Sequence, residues 1–233
     1  MATAYCEWGL NGVQILRERA ATVVIVDVLS FCTAVDIAVS RGAAVIPFPL
    51  GDEEAAAKAA AEAGAVLAHP RRAAGGQYSL SPQSLRSIAP GTRLLLPSPN
   101  GSRLSLEGGS STVFAGCLRN RRAVAAAAAL TGGDIAVIPA GERWRSDSSL
   151  RPAIEDWIGA GAILDALDMP LSAEARVARD AFRSAGEDLA ALVRHSLSGR
   201  ELIDVGFGQD VELAVQLDVG DTAPRLRGGV YTA

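Results

Sequence analysis

The sequence predicts an α/β fold of three layers, in which helices cover both faces of a mostly parallel or mixed central sheet. Short β-branched apolar runs alternate with longer segments that are apolar at helical spacing. The first run, residues 21–28, is apolar almost throughout, which is typical of a strand buried on both faces. No linker or internal repeat divides the 233 residues, so we expect a single domain over residues 1–233.

Each predicted strand is a short run rich in aliphatic residues, and most are followed by turn residues or a helix start. The predicted strands are residues 21–28, 43–48, 65–68, 93–96, 113–115 and 135–139. Helices are predicted from apolar spacing and end signals; Asp52, for example, should cap a helix that stops at Gly64. The predicted helices are residues 30–39, 53–63, 123–130, 153–167 and 172–195. Residues 69–90 and 141–150 are predicted loops, and the tail from Gly206 is predicted to be irregular with short strands.

The composition excludes several classes of function. The formal net charge is −4 and aromatic residues make up 5%, with no basic stripe, so we expect no nucleic-acid partner. No apolar run reaches the roughly 18 residues of a membrane span, and the N-terminus lacks the order of a signal peptide. Three scattered cysteines without metal-ligand spacing favour a reduced, cytoplasmic protein.

Candidate site residues follow the predicted strands, because ligands of open α/β sheets bind beyond the carboxyl ends of strands. These positions combine acids suited to a metal with arginines and backbone amides suited to an anion. They are Asp27, the Arg71-Arg72 loop with Gly75-Gly76, Ser98-Pro99-Asn100-Gly101-Ser102, Gly116-Cys117 and Ala140-Gly141-Glu142-Arg143.

Three acids are the candidate catalytic and metal-binding residues. Asp27 ends an apolar strand, where a carboxylate is costly to bury unless it is paired or metal-bound, although it could instead cap the next helix. Glu155 and Asp156 begin an apolar helix, where they could bind a metal or simply favour the helix dipole. Hard oxygen ligands of this kind suit Mg²⁺, which keeps several waters and binds substrate phosphate.

The candidate anion-binding residues are less specific. Ser98, Asn100, Gly101 and Ser102 form an ordinary turn sequence that could also present amides and hydroxyls to a phosphate. Arg71 and Arg143 could each clamp an oxyanion or lie solvated at the surface. A cysteine or serine nucleophile is not expected, since neither histidine is placed to activate a cysteine and no G-x-S-x-G elbow occurs.

Taken together, several segments resemble the 2-phosphosulfolactate phosphatase family of coenzyme M biosynthesis. The resemblance covers about residues 21–224, with the segments in the family's order. The segments are VVIVDVLSFCTAVDIA at 23–38, SPNGSRL at 98–104, FAGCLRNRRAVA at 114–125, VIPAGE at 137–142, IEDWIGAGAI at 154–163 and HSLSGRELIDVGFGQDVELA at 195–214.

This resemblance implies an α/β/α, Mg²⁺-dependent hydrolase of the phosphate ester of a small sulfonated hydroxy acid. Position by position, Asp27 matches the acid after the first strand, and Glu155 and Asp156 match the acidic pair. Asn100 and Gly101 match a T-N-G-T turn, Gly141 matches the glycine of an A-G turn, and Asp210 matches a late acid. These matches imply that Asp27, Glu155 and Asp156 hold Mg²⁺ and that Ser98, Asn100 and Ser102 surround the phosphate. Arg71 or Arg143 would bind the acidic end of the substrate.

The sequence departs from the family's pattern at three positions. Ser30 replaces an arginine, Pro70 replaces a glutamate, and Leu80 replaces an asparagine. Serine cannot clamp an oxyanion as arginine does, and proline cannot bind a metal. Either neighbours such as Arg72 and Arg103 compensate, or the substrate is a different small phosphate ester, or the chain is a non-catalytic anion-binding descendant. The Ala-rich helices also offer a face for a homodimer.

Overall fold

A nine-stranded sheet forms the centre of the protein. The computed structural model describes residues 2–71 and 77–233. The sheet strands are β1 (Ala4–Cys6), β2 (Thr22–Val26), β3 (Ala44–Pro49), β4 (Val66–Leu67), β5 (Arg93–Ser98), β6 (Thr112–Gly116), β7 (Ile135–Pro139), β10 (Arg225–Arg227) and β11 (Val230–Thr232). The two intervening strands, β8 (Glu142–Arg143) and β9 (Leu150–Arg151), form a separate hairpin.

Helices connect most of these strands and continue after β9. They are α1 (Gly9–Leu16), α2 (Phe31–Ser40), α3 (Glu53–Glu62), α4 (Gly101–Leu106), α5 (Arg121–Leu130), α6 (Ile154–Asp165), α7 (Ala173–Ala185), α8 (Leu189–His195), α9 (Leu197–Asp204) and α10 (Gly208–Ala214). Two 3₁₀ segments, Pro82–Leu85 and Gly186–Asp188, complete the elements. As predicted, Asp52 caps α3, because its Oδ1 accepts a hydrogen bond from the Ala55 N–H at 2.8 Å.

The strand order is β1-β7-β2-β6-β10-β11-β3-β5-β4. Strands β1, β7, β2 and β6 form one parallel group, and β3, β5 and β4 form another. The hairpin of β10 and β11 lies between them and makes antiparallel ladders with β6 and β3. Three successive antiparallel ladders therefore separate the two parallel groups, so these groups run in opposite senses.

Both faces of the sheet are buried, and alternate residues of each strand point to opposite faces. In β2, Val23 and Ile25 join a core cluster with α1, α2 and α4, whereas Val24 and Val26 join a second cluster with α5, α6 and α7. Helix α3 covers Leu95 of β5 on the second face. The predicted α/β fold with three layers and a mostly parallel sheet is confirmed.

Several elements differ from the sequence prediction. The short elements β1, α1 and α4 were not predicted, and residues 197–214 form α9 and α10 although the tail beyond Gly206 was predicted to be irregular. The predicted loop at residues 141–150 contributes the β8–β9 hairpin. Arg72 and Gly75-Gly76 lie outside the described residues. Of the helices in the described ranges, none has both the length and the hydropathy needed to cross a bilayer.

Candidate active site

Asp27 lies directly after β2 and is only 5% exposed. Its Oδ1 accepts a hydrogen bond from the Phe31 N–H at 3.1 Å, and its Oδ2 accepts one from the Gly101 N–H at 2.9 Å. Burial raises the pKa of Asp27 to about 6, although the two amide hydrogen bonds oppose that rise. Asp27 thus connects the end of β2 to the start of α4. Helix α4 follows β5, a strand of the other parallel group.

Gly101 can approach Asp27 because it has no side chain. A Cβ atom at this position would lie 2.3 Å from Cδ1 of Phe31, far inside van der Waals contact. The glycine therefore allows the N-terminus of α4 to pack against the N-terminus of α2 while its amide points at the carboxylate. Packing thus requires the glycine of the N-G turn sequence.

Asp156 lies in the first turn of α6 and is 3% exposed. Its Oδ1 accepts a hydrogen bond from the Val28 N–H at 2.7 Å, and its Oδ2 accepts one from the Gly141 N–H at 2.9 Å. Burial, followed by repulsion from Asp27 and Glu155, raises the pKa of Asp156 well above its ordinary value. The carboxylate of Asp156 therefore ties the loops after β2 and β7 to α6.

Glu155 precedes Asp156 and is also buried, with 2% of its surface exposed. Its Oε2 atom is buried and has no hydrogen-bond partner among the residues that the structure describes. A buried carboxylate oxygen without a partner is costly, so it needs a proton, a water or a cation. Repulsion from Glu155 contributes to the raised pKa of Asp27, which places the two acids within electrostatic reach.

Glu142, in β8, is a further acid of the site. Asn100 Nδ2 donates a hydrogen bond to its Oε2 at 2.9 Å. Burial, together with repulsion from Asp27 and Glu155, raises the pKa of Glu142 to about 7. The sequence analysis placed Glu142 after a strand but not among the catalytic residues. Its position directly after the Ala140-Gly141 turn was the available signal. We call Asp27, Glu142, Glu155 and Asp156 the acidic cluster.

Arg71 brings positive charge to this cluster. Its Nη2 donates to Ser30 Oγ at 2.5 Å, and its Nε lies 3.4 Å from Oδ2 of Asp210. The guanidinium also lies over the Phe207 ring, 5.5 Å from the centroid. Burial lowers the pKa of Arg71, while Asp210 and Asp27 oppose that change. Ser30, which replaces a family arginine, therefore contacts the arginine that remains.

Asp210 positions Arg71 and is itself fixed on the other side. Its Oδ1 accepts hydrogen bonds from Ser81 Oγ at 2.5 Å and from the Gln83 N–H at 3.1 Å. Asp210 is 1% exposed, so this arrangement is rigid and shielded from water. Asp210, the late acid of the sequence motif, lies in α10 and holds Arg71 in position.

The remaining predicted residues lie in different surroundings. Ser98 is buried, and its Oγ has no hydrogen-bond partner within the described ranges. The Ser102 hydroxyl donates to the Leu96 carbonyl at 3.0 Å inside the core, so it is directed away from the acids. Gly141 has a φ of +70°, which favours glycine. Arg143 is exposed and donates a hydrogen bond to the Ser148 carbonyl at 2.9 Å. Arg143 and Asn100 both line one pocket.

The donors of the acidic cluster fit Mg²⁺ only in part. Within residues 2–71 and 77–233, no group of three or more His, Cys, Asp or Glu side chains is arranged to hold one metal ion. Both oxygens of Asp27 and both oxygens of Asp156 already accept amide hydrogen bonds, whereas Glu155 Oε2 has no partner in the described part of the chain. Mg²⁺ commonly takes one or two carboxylates and completes its shell with water and phosphate oxygens. Glu155 fits that role, Asp27 would join it through the second lone pair of one of its carboxylate oxygens, and the magnesium requirement stays a prediction.

The arrangement as a whole places three buried acids, Asp27, Glu155 and Asp156, and the partly buried Glu142 near the partly buried Arg71. This excess of negative charge in a poorly solvated place favours protons or cations. The carboxyl groups also differ in their hydrogen-bond partners. Asp27 and Asp156 accept hydrogen bonds from backbone amides, whereas Glu142 accepts one from a side-chain amide. A carboxyl such as Glu142, whose pKa is near neutrality, suits proton transfer.

Comparison with known proteins identifies the family. The family model described as 2-phosphosulpholactate phosphatase matches residues 13–229. The "2-phosphosulfolactate phosphatase" of Methanothermobacter thermautotrophicus is 32% identical over 216 residues, which cover 91% of this chain and 89% of that protein. A "Probable 2-phosphosulfolactate phosphatase" of Carboxydothermus hydrogenoformans is 30% identical over 87% of this chain and 84% of its own length. A protein of the same description from Thermotoga petrophila is 29% identical over 90% of this chain and 91% of its own length. The chain therefore belongs to the 2-phosphosulfolactate phosphatase family, a family of phosphoric monoester hydrolases.

Proposed function

We propose that this protein hydrolyses 2-phosphosulfolactate to sulfolactate and phosphate. The observation that carries the proposal is the family match over residues 13–229, together with relatives whose names specify that activity. The acidic cluster beside Arg71 supports it, because the reaction needs both anion binding and proton transfer.

In this proposal, Asp27 and Glu155 hold Mg²⁺, which would offset negative charge on the phosphate oxygens. Asn100 and the turn that contains Ser98 border the phosphate. Arg71, held in place by Asp210, binds the acidic end of the substrate through its planar guanidinium.

Water is the proposed nucleophile. Both oxygens of Asp27 accept amide hydrogen bonds, which makes this carboxylate a weaker nucleophile. The water oxygen bonds to phosphorus as the bond between phosphorus and the ester oxygen breaks. Glu142 accepts the proton of the water and returns it to the leaving sulfolactate oxygen, so atoms and charge balance. A pKa of about 7 permits both transfers near neutral pH.

The test is phosphate release from 2-phosphosulfolactate, measured with added Mg²⁺ and with EDTA. We expect release that needs Mg²⁺ in the wild type and its loss in Asp27→Asn, while Asp180→Asn at an exposed site of α7 should behave as wild type. Wild-type activity in a folded Asp27→Asn variant would refute the assignment of Asp27. No release from any phosphate ester by the folded wild-type protein would instead favour an anion-binding protein. The role in coenzyme M biosynthesis, the cytoplasmic location and the homodimer stay predictions.

A further inference from the structure

A second pocket lies beside Arg71, which forms part of its lining. Its volume is about 560 Å³. The walls are mostly apolar and come from the β3–α3 turn, α3, β4 and the residues around β5. They include Leu50, Ala57, Leu67, Pro70, Leu80 and Pro97.

The pocket shares Arg71 with the candidate active site. Arg71 lines it and also contacts Ser30 and Asp210. Pro99 lines it too and directly precedes Asn100, whose side chain donates to Glu142. A substrate whose acidic end lies on Arg71 would therefore have part of its leaving group at the mouth of this pocket.

The walls of the pocket do not suit a second anionic group. Asp52 and Glu53 border it at the start of α3 and would repel a carboxylate or sulfonate. Of the residues lining the pocket in the described ranges 2–71 and 77–233, His69 and Arg71 carry basic side chains, and Arg71 is already assigned to the acidic end of the substrate. An anion inside the pocket would lose water without gaining enough partners, whereas an apolar group would gain from the transfer.

The size of the pocket also exceeds what sulfolactate needs. A volume of 560 Å³ corresponds to roughly twenty water molecules, which is within the range of pockets for drug-sized ligands. Pro70 and Leu80, two of the positions that depart from the family's pattern, form part of its wall.

We propose that this pocket binds an apolar substituent of the substrate's leaving group. The protein then hydrolyses phosphate monoesters of 2-hydroxy acids that carry an apolar chain or ring, with the acid on Arg71 and the apolar group against Leu50, Leu67 and Leu80. The reaction is the same hydrolysis as above. This inference rests on the proposed phosphatase activity, but not on 2-phosphosulfolactate being the preferred substrate.

The kinetic test compares 2-phospholactate with 2-phospho-3-phenyllactate. We expect kcat/KM to be at least about tenfold higher for the phenyl compound, the usual effect of filling an apolar pocket. Ala57→Leu places a larger side chain in the pocket from an exposed position of α3 and should remove that gain. It should leave hydrolysis of 2-phosphosulfolactate unchanged, and the control Ala126→Leu, on the exposed side of α5, should change neither.

A binding test separates failure of this inference from failure of the proposed function. Calorimetry with lactate and 3-phenyllactate reports the pocket whether or not an ester is hydrolysed. We expect 3-phenyllactate to bind at least about tenfold more tightly, with the difference lost in Ala57→Leu. Equal affinity for the two acids would overturn the inference, even if 2-phosphosulfolactate is hydrolysed. Tighter binding of 3-phenyllactate without hydrolysis of any ester would uphold the pocket and refute the phosphatase assignment.

Discussion

Replacement of Glu142 by glutamine tests the electrostatics of the acidic cluster directly. Burial and the neighbouring Asp27 raise the pKa of Glu142 from 4.5 to about 7 in the folded protein. In the unfolded chain the carboxyl returns to its ordinary pKa, so the rise measures how strongly the fold disfavours the ionised form. At 1.36 kcal/mol for each pKa unit the rise corresponds to about 3 kcal/mol, and we expect about 2 to 3 because Glu142 is only partly buried.

The direction of the effect follows from proton binding. Below pH 4.5 the Glu142 carboxyl is protonated in the folded and in the unfolded protein, so its ionisation does not change the free energy of unfolding. Between pH 4.5 and about 7 the folded protein keeps a proton that the unfolded chain has lost, so rising pH reduces the wild-type free energy of unfolding. Glutamine lacks this titration. Glu142→Gln should therefore gain about 2 to 3 kcal/mol relative to wild type between pH 4 and pH 8.

Urea unfolding at a series of pH values, without added metal, measures this difference. The matched control is Glu187→Gln, at an exposed position of the second 3₁₀ segment, which should follow the wild-type curve. Glu142→Gln should also lose activity, because it lacks the proton acceptor. Its residual activity should no longer depend on a group with a pKa near 7. Parallel stability curves for wild type and Glu142→Gln would refute the reasoning.

Three further substitutions test other contacts of the site. Asp156→Asn keeps one acceptor for two buried backbone N–H groups, so urea unfolding at pH 4, where ionisation of the wild-type carboxyl contributes little, should show a loss of about 1 to 3 kcal/mol; an unchanged midpoint would contradict the contact. Gly101→Ala would place Cβ 2.3 Å from the Phe31 ring, so the free energy of unfolding should fall by about 1 to 3 kcal/mol and kcat by about 100-fold. Full activity would show that the position of the Gly101 N–H need not be fixed. Asp210→Asn removes the ion pair of Arg71, so steady-state kinetics should show KM rising about tenfold with a smaller change in kcat; a change in kcat alone would exclude a binding role.

Local patterns in the sequence are sufficient to select the three acids at the centre of the candidate site, whose catalytic role stays a prediction. The apolar run that becomes β2 ends at Asp27, and the strand-end rule makes that carboxylate a candidate. Glu155 and Asp156 are recognisable as acids in the first turn of an apolar helix. The fold class follows from the same periodicity, since strands buried on both faces need helices on both sides.

The partners of these residues are not predictable in the same way, since they depend on contacts between distant segments. Asp156 accepts an amide hydrogen bond from Val28, which is 128 residues away, and no local pattern encodes that pairing. Glu142 belongs to a strand of two residues, too short for a periodic signal. The opposite senses of the two parallel groups follow only from where the last hairpin is inserted.

That hairpin also determines when the sheet can be completed. Strands β10 and β11 follow every other strand in the chain, yet they join β6 to β3 in the middle of the sheet. Until residues 225–232 pair, β6 and β3 each keep an open edge, which is the kind of surface through which nascent chains associate. Such high contact order predicts slow final assembly. Pairing of the hairpin is the step that makes the two parallel groups, one ending at Asp27 and the other followed by Arg71, into a single sheet.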